Sequence, residues 1–169
     1  MLSFLPKVIF PKLTDLPPEY LHARGIRLLM LDFDNTMLPY TSDIPDRPLL
    51  DWLQTMQAAG IRLCIVSNSK RQRVPTFGKT YGVDVVTHAK KPFQRGIRVC
   101  LSRYGVKPEQ AALCGDQIYT DVLGANCGNV HSILVKSIHN HNIWLKLRHV
   151  TEMPFIFLAK GRKYRNEKS

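Results

Sequence analysis

Short apolar runs that alternate with amphipathic stretches set the strongest limit on how this chain can fold. Residues 27–33 (RLLMLDF) contain an apolar run that ends in acids, which is typical of a strand buried on both faces of a parallel sheet. Residues 49–59 have apolar positions at helical spacing, between Pro48 and Gly60, which favours a helix. Further strands are predicted over 61–66, 83–86, 111–114 and 130–135, and further helices over 71–81, 93–104 and 120–126. This order predicts an α/β fold with a doubly wound parallel sheet.

The composition fits one cytoplasmic domain over residues 1–169. The chain has 169 residues, of which 44% are hydrophobic and 22% charged, enough to bury a core without disulfides or a structural metal. We expect its four cysteines to be small buried residues in a reducing compartment, because their spacing matches no zinc motif: Cys64, Cys100, Cys114 and Cys127. No signal peptide is recognisable, and no apolar run approaches the ~18 to 20 residues of a membrane span.

The charge balance is strongly basic and unevenly distributed. The 24 Lys and Arg residues outnumber 13 Asp and Glu, for a net charge of +11, which favours anionic partners such as phosphate esters, nucleic acid or an acidic membrane surface. Residues 142–169 form a basic C-terminal tail that also contains aromatic and aliphatic residues. We expect this tail to contact an anionic membrane; the alternative, that its apolar residues pack on the sheet, remains open.

Polar side chains follow several predicted strands at their carboxyl ends. Asp32 and Asp34 follow the first, Ser67 the second, and Asp116 and Asp121 a later one. A single aspartate in such a loop is often a helix cap or turn residue, but five polar residues at converging strand ends favour a site. Clustered carboxylates repel unless a cation neutralises them, and the hard ion Mg²⁺ suits oxygen ligands.

These residues form an ordered set of motifs. The set comprises DxDxT at residues 32–36, Ser67 at a strand end, Lys91 before Pro92, and a late Gly-Asp followed by Asp121. The order resembles that of haloacid dehalogenase-like (HAD) phosphohydrolases over residues 27–135. The stretches LDFDNT, VSN, AKKP and GDQIYTDVLGAN are similar to subclass III phosphatases related to mitochondrial phosphatidylglycerophosphate phosphatases.

The resemblance implies a Mg²⁺-dependent phosphomonoesterase with an aspartyl-phosphate intermediate. Asp32 is the implied nucleophile and Asp34 the implied general acid and base. The implied metal ligands are Asp32, the Asp34 backbone carbonyl, Asp116 and Asp121, the last directly or through water.

Four further residues are implied to bind the phosphate group. Ser67 and Lys91 are expected to hold phosphoryl oxygens. Thr36 and Asn68 are additional candidates. Thr36 could bond the phosphate-binding loop or only cap the local turn, and Asn68 could contribute a backbone amide or no contact. The sequence does not establish whether Lys90 or Lys91 points inward, and we prefer Lys91 because the family's lysine precedes a proline.

The distances between the motifs bear on the substrate. The segments 36–67 and 67–91 each have room for a helix and a strand but not for a cap domain. The site is therefore expected to be open. An open site should accept a large or lipid substrate such as phosphatidylglycerophosphate. We expect an enzyme peripheral on the inner face of the membrane, of undetermined oligomeric state. The alternatives are a phosphatase of small soluble esters, a receiver domain, whose motif order differs, and a non-enzymatic nucleic-acid-binding protein. The last lacks a recognisable motif, so no nucleic-acid partner is expected.

Overall fold

A computed structural model describes residues 3–138, 154–155, 157–159 and 161. The strands within these residues are β1 Val8–Phe10, β2 Leu28–Leu31, β3 Arg62–Val66, β4 Asp84–Val86, β5 Ala111–Gly115 and β6 His131–Val135. The α-helices are α1 Pro18–His22, α2 Arg47–Ala58, α3 Arg73–Tyr81, α4 Arg95–Tyr104 and α5 Leu123–Cys127.

The six strands form one parallel sheet in the order β1-β6-β5-β2-β3-β4. β2 therefore lies near the centre, between β3 and β5, and the chain reverses direction across the sheet there. This arrangement confirms the predicted doubly wound α/β fold. Functional residues are expected outside the carboxyl ends at such a reversal.

Both faces of the sheet are covered, which explains the unbroken apolar runs. Successive residues of β2 point to opposite faces, so Leu29 and Leu31 pack with α1, α2 and α3, whereas Leu28 and Met30 pack with α4 and α5. All four are fully buried. Because helices cover both faces of such a strand, neither face needs polar side chains.

The connections at the carboxyl edge are short. The β2–β3 connection contains a loop and α2, and the β3–β4 connection contains a loop and α3. Among the described residues no domain is inserted at either place, as the sequence predicts.

The segment before β2 contains structure that the sequence pattern does not predict. Residues 8–22 form β1, a 3₁₀ turn Leu13–Asp15 and α1. The indole Nε1 of Trp52 in α2 donates to the Leu16 carbonyl oxygen at 2.8 Å and fixes this segment to the domain. Each element has only three to five residues, too few for a hydrophobic period to show.

Two predicted helices differ in detail. α3 begins at Arg73, so Pro75 lies in its first turn, where no backbone N–H is needed, and it does not weaken the helix. The helix predicted at 120–126 begins as a π-helical turn, Ile118–Val122, and continues as α5.

The cysteine prediction is wrong for one residue. Cys64, Cys100 and Cys114 are buried free thiols, but Cys127, the last residue of α5, is exposed. The short α5 presents its end to solvent. The Sγ atoms of Cys64 and Cys100 lie 3.1 Å apart on the face that carries α4.

The basic tail falls mostly outside the described residues. Residues 142–153, 156, 160 and 162–169, where the membrane contact was predicted, are among those not described. In the described part, the ring centroid of Phe155 lies 5.1 Å from that of Phe4 and 6.3 Å from that of Tyr119, and Ala159 is buried. This part of the tail therefore packs on the domain. No helix within the described residues is long and apolar enough to cross a bilayer.

Candidate active site

The predicted polar residues meet at the carboxyl edge of the sheet. Asp32 directly follows β2, Ser67 follows β3 and Asp116 follows β5. Asp121 comes from the π-helical turn after β5, and Lys91 from the loop after β4. Asp32, Ser67, Lys91 and Asp121 are buried.

Lys91 is the cation at the centre of this cluster. Its Nζ lies 2.6 Å from Asp32 Oδ1 and 2.7 Å from Asp121 Oδ1, and its side chain is 1% exposed. Lys90 is exposed, with a left-handed backbone at φ 55°. Of the two adjacent lysines, Lys91 therefore points into the cluster.

The two polar residues after β3 make different contacts, and Asn68 supports the position of Lys91. Asn68 Oδ1 accepts a hydrogen bond from the Lys91 backbone N–H at 2.7 Å, and Asn68 Nδ2 donates to the Lys91 carbonyl at 3.0 Å. Ser67 Oγ accepts from the Ser69 backbone N–H at 3.0 Å. The Asn68 side chain thus binds the loop that carries Lys91. Phosphate binding by the Asn68 backbone amide stays a prediction.

A tight turn after β2 returns the chain to the carboxylates. Asn35 has φ 62°, and its N–H donates to the Leu38 carbonyl at 2.7 Å; asparagine tolerates this left-handed conformation better than most residues. The turn places Thr36 Oγ1 3.3 Å from both Asp32 Oδ2 and Asp116 Oδ1. The Thr36 hydroxyl therefore contacts the two carboxylates, and phosphate binding by Thr36 stays a prediction.

The electrostatic environment shifts the protonation of the cluster. Burial raises the pKa of Asp32 to about 6, although the ammonium of Lys91 acts in the opposite direction. Burial alone would lower the pKa of Lys91, but Asp121 and Asp32 outweigh it, and the net shift is upward. Lys91 is thus held as a cation between two acidic groups.

Asp34 lies in a different environment and is only partly buried. Burial raises the pKa of its carboxyl, while Arg73 and Arg71 oppose the shift. A carboxyl that keeps its proton more readily than a free aspartate suits an acid catalyst.

Arg73 is a site residue that the sequence analysis missed. Its Nη1 lies 3.4 Å from Asp34 Oδ1, and its Nε lies 2.8 Å from Asp43 Oδ1. The guanidinium also donates to the carbonyl oxygens of Pro39, Tyr40 and Ser42. A cation in the first turn of a helix interacts unfavourably with the helix dipole. A basic residue at this position is therefore the sequence signal that could have identified Arg73.

The acidic residues fit a divalent cation. Asp32, Asp116 and Asp121 each offer one carboxylate oxygen, and these atoms lie within 4.8 Å of one another. An all-oxygen donor set of this charge suits a hard divalent ion. A Cβ added at Gly115 would lie 2.3 Å from the Asp121 carboxyl carbon, so the glycine is what allows Asp121 to approach the strand end.

Comparisons with known proteins agree with this geometry. A family profile described as mitochondrial PGP phosphatase matches residues 2–138. The probable phosphatase YqeG of Bacillus subtilis (strain 168) is 32% identical over 132 residues, which cover 78% of this chain and 77% of that protein.

Solved structures share the fold at low sequence identity. The cobalt-bound deoxy-D-mannose-octulosonate 8-phosphate phosphatase (YrbI) of Haemophilus influenzae superposes with a TM-score of 0.51 at 15% identity, covering 82% of this chain and 91% of that one. The 3-deoxy-D-manno-octulosonate 8-phosphate phosphatase of Yersinia pestis gives 0.51 at 18% identity, covering 83% and 85%.

The family profile and the Bacillus relative together define a phosphatase, which is a hydrolase, and the solved structures share its fold. Within that class, the chain belongs to the mitochondrial PGP phosphatase family.

Proposed function

We propose that this protein is a Mg²⁺-dependent phosphomonoesterase that acts through an aspartyl-phosphate on a large or lipid substrate such as phosphatidylglycerophosphate. The observation that carries the proposal is the buried contact of Lys91 with both Asp32 and Asp121. It gathers a carboxylate nucleophile and a fixed positive charge at one strand edge, beside a second carboxyl with a raised pKa.

Asp32 performs the first chemical step in this proposal. Its carboxylate attacks phosphorus in line with the leaving oxygen, so a P–O bond forms to Asp32 as the bond to the leaving group breaks. Thr36 orients the carboxylate through its hydrogen bond to Oδ2. The other oxygen, Oδ1, is held by Lys91.

Asp34 acts as the general acid in the first step and as the general base in the second. Its raised pKa supports donation of a proton to the leaving alkoxide, and the resulting carboxylate then takes a proton from the water that hydrolyses the aspartyl-phosphate. Such proton transfer is typically worth 10²- to 10⁴-fold in rate. Arg73, the first residue of α3, holds the Asp34 carboxyl near the amino end of that helix.

Ser67 and Lys91 are proposed to bind the phosphoryl oxygens, with Thr36 and the Asn68 backbone amide as additional contacts. The Lys91 ammonium offsets negative charge that spreads over those oxygens in the transition state. Asn68 fixes the Lys91 backbone through two hydrogen bonds, which reduces the freedom of the lysine side chain.

Asp32, Asp116, Asp121 and the Asp34 backbone carbonyl are proposed to hold the Mg²⁺ ion. The bound ion supplies charge neutralisation and a template for the phosphate oxygens. The balance of charges supports a bound cation, because Lys91 alone cannot balance three neighbouring carboxylates.

The open mouth supports a bulky substrate, because no inserted domain closes over the site among the described residues. The family description names a phosphatidylglycerophosphate-type activity for related proteins, and we extend it to this chain as a proposal. We also propose that residues 142–169 contact the membrane and that the enzyme works at its cytoplasmic face.

A phosphatase assay with Mg²⁺ tests the proposal. The substrates are 4-nitrophenyl phosphate, sugar phosphates, nucleotides, phosphopeptides and phosphatidylglycerophosphate in mixed micelles. Asp32→Asn should abolish turnover of every substrate, because the amide keeps the shape of the side chain but cannot attack. Asp34→Asn should also lose steady-state turnover, and with a good leaving group it should accumulate the aspartyl-phosphate.

Asp51→Asn is the matched control. Asp51 is an exposed aspartate in α2 that pairs with Arg47, so its amide variant should keep wild-type activity. Full activity in Asp32→Asn, or activity that persists after chelation with EDTA, would refute the proposed mechanism. Preference for a small soluble ester would refute the lipid substrate and leave the chemistry intact.

A further inference from the structure

Exposed apolar side chains are concentrated around the mouth of the site. Among the described residues, the large apolar side chains that are exposed are Tyr40, Ile44, Phe93, Val99, Ile138, Phe157 and Leu158. Tyr40 and Ile44 follow β2, Phe93 follows β4 and Ile138 follows β6. Four of the seven therefore lie in connections at the carboxyl edge of the sheet.

The opposite edge has no such residues in the part of the domain that the structure describes. Within residues 3–138, none of the connections that lead into the amino ends of the strands contains a large exposed apolar side chain. Val99 lies in α4, and Phe157 and Leu158 lie in the tail. The exposed apolar residues are thus distributed as expected of a contact surface and not as scattered surface residues.

Cations accompany these apolar residues. Lys70 and Arg71 follow β3 and Lys90 follows β4, and all three are exposed. The Arg71 guanidinium lies 4.0 Å from the centroid of the Tyr40 ring. We define the rim as Tyr40, Ile44, Lys70, Arg71, Lys90 and Phe93. On the other side of the edge, the exposed Lys12 and Lys136 follow β1 and β6.

The neighbouring acids do not cancel this charge. Asp43 pairs with Arg73 at 2.8 Å, and the Asp46 carboxylate accepts from the Leu49 N–H at 3.0 Å as the N-cap of α2. Asp43 is thus offset by the Arg73 cation, and the charge of Asp46 faces the positive amino end of α2.

We propose that the rim docks on the surface of an anionic phospholipid bilayer, so that the reacting phosphate enters the site from the membrane plane. This inference rests on the proposed function and adds the surface that delivers the lipid. A bilayer interface uses both kinds of residue, because cations bind its anionic headgroups and apolar side chains insert between them. A nucleic-acid backbone would use the cations but would gain nothing from Ile44, which is 81% exposed.

Arg73 links the rim to the candidate acid. Arg73 contacts Asp34 and also binds the carbonyl oxygens of Pro39, Tyr40 and Ser42. The loop that carries Tyr40 and Ile44 is therefore fixed to the same guanidinium as the candidate acid. Docking by the rim would place the site directly at the bilayer surface.

Vesicle sedimentation tests the inference. The full chain is mixed with vesicles of phosphatidylcholine alone or with added phosphatidylglycerol, at low and high salt, and the bound fraction is measured. The variants are Ile44→Ser combined with Phe93→Ser, and Lys70→Glu alone. The matched controls are Val99→Ser, an exposed apolar residue on α4, and Lys107→Glu, an exposed cation at the amino edge.

The wild type should bind the anionic vesicles, and more weakly at high salt. The double variant should lose about tenfold in affinity, since two large apolar side chains no longer insert, and Lys70→Glu should lose about fivefold or more. All four variants should keep wild-type turnover of soluble 4-nitrophenyl phosphate, and both controls should bind as the wild type does.

The docking inference and the catalytic proposal fail in different ways. Asp32→Asn should still bind vesicles, because binding needs no turnover, whereas an inactive wild type would refute the catalysis alone. The docking inference is overturned if the wild type ignores anionic vesicles, or if rim variants bind normally while removal of residues 160–169 abolishes binding. Salt-sensitive RNA retention that rim variants lose, with no vesicle binding, would assign the rim to nucleic acid instead.

Discussion

At the scale of single residues, Lys91 decides whether the cluster can exist. It separates Asp32 and Asp121, two buried carboxyls that would otherwise repel each other. Lys91→Met should reduce turnover by about 10²-fold or more, because the transition-state charge loses its fixed cation. It should also destabilise the fold by about 3 kcal/mol, since a broken buried pair leaves unpaired charge.

The neighbouring lysine supplies the control for this prediction. Lys90→Met removes an exposed cation with no buried partner among the described contacts, and it should retain turnover and urea stability close to wild type. Steady-state rates of 4-nitrophenyl phosphate hydrolysis and urea unfolding midpoints measure both effects. Equal losses in the two variants would contradict the assigned orientation of Lys91.

The positions of the carboxylates could be predicted from the sequence, but not the contacts they make. Asp32, Asp34 and Asp116 are placed by strand ends, which an apolar run reveals directly. The choice between Lys90 and Lys91 depends on the backbone of one loop, since Lys90 adopts φ 55°. Arg73 reaches the site from a different element, and no local pattern encodes that approach.

At the scale of elements, Gly78 allows α3 to pack closely on β4. A Cβ at this position would lie 2.3 Å from Val85 Cγ2 and 2.5 Å from the Val83 carbonyl oxygen. Gly78→Ala should therefore lower the free energy of unfolding by about 1 to 3 kcal/mol, despite the higher helix propensity of alanine. Lys79→Ala, at the next and exposed position, should be close to neutral. Urea unfolding of both variants measures the difference, and a Gly78→Ala protein as stable as wild type would show that the elements can separate without cost.

A hydrogen bond between β6 and α1 predicts a pH effect on stability. His131 Nε2 lies 3.0 Å from the Tyr20 hydroxyl oxygen. Burial, with Arg24 and Lys7, lowers the pKa of His131 to about 4 from its usual 6.5. Between these values the unfolded chain binds more protons than the folded one, so stability should fall as pH decreases from about 6.5 to 4.

The comparison with His131→Gln isolates this contribution. Because the ring is partly exposed, the expected loss from pH 7 to pH 5 is on the order of 1 kcal/mol, and it should be absent from the variant. Asp32, whose pKa is raised, acts in the opposite direction in both proteins and cancels in the comparison. Urea midpoints at the two pH values give the result, and an identical pH dependence in both proteins would refute the assignment.

Most of the strands that the sequence reveals are buried on two faces. β2, β3, β5 and β6 consist almost entirely of buried residues, so each appears as an apolar run. β1 is missed because it has three residues at the sheet edge and depends on pairing with β6, more than 120 residues later. Long-range pairing of this kind leaves no local signal.

At the scale of the whole molecule, cation binding should be linked to stability. The oxygens of Asp32, Asp116 and Asp121 converge only in the folded chain, so Mg²⁺ should bind the folded state preferentially. At a Mg²⁺ concentration about 100 times its dissociation constant, the stabilisation is about 2.7 kcal/mol, which should raise Tm by roughly 5 to 10 °C. Thermal unfolding with Mg²⁺ and with EDTA measures this shift.

Asp116→Asn should reduce the shift, because it removes a negative ligand without changing the size of the side chain. Asp51→Asn, in α2 and outside the cluster, should keep the full shift. An unchanged response in Asp116→Asn would place the cation elsewhere.

The pairing of β1 with β6 also affects how the polypeptide can fold during its synthesis. β1 leaves the ribosome well before its partner strand, which ends only at Val135. The intervening strands can assemble beforehand around β2, whereas β1 must wait until almost the whole domain has been translated. The nascent chain therefore carries an unpaired first strand through most of its translation, and Pro6 and Pro11, which flank β1 and lack an N–H group, limit its pairing with other chains during that interval.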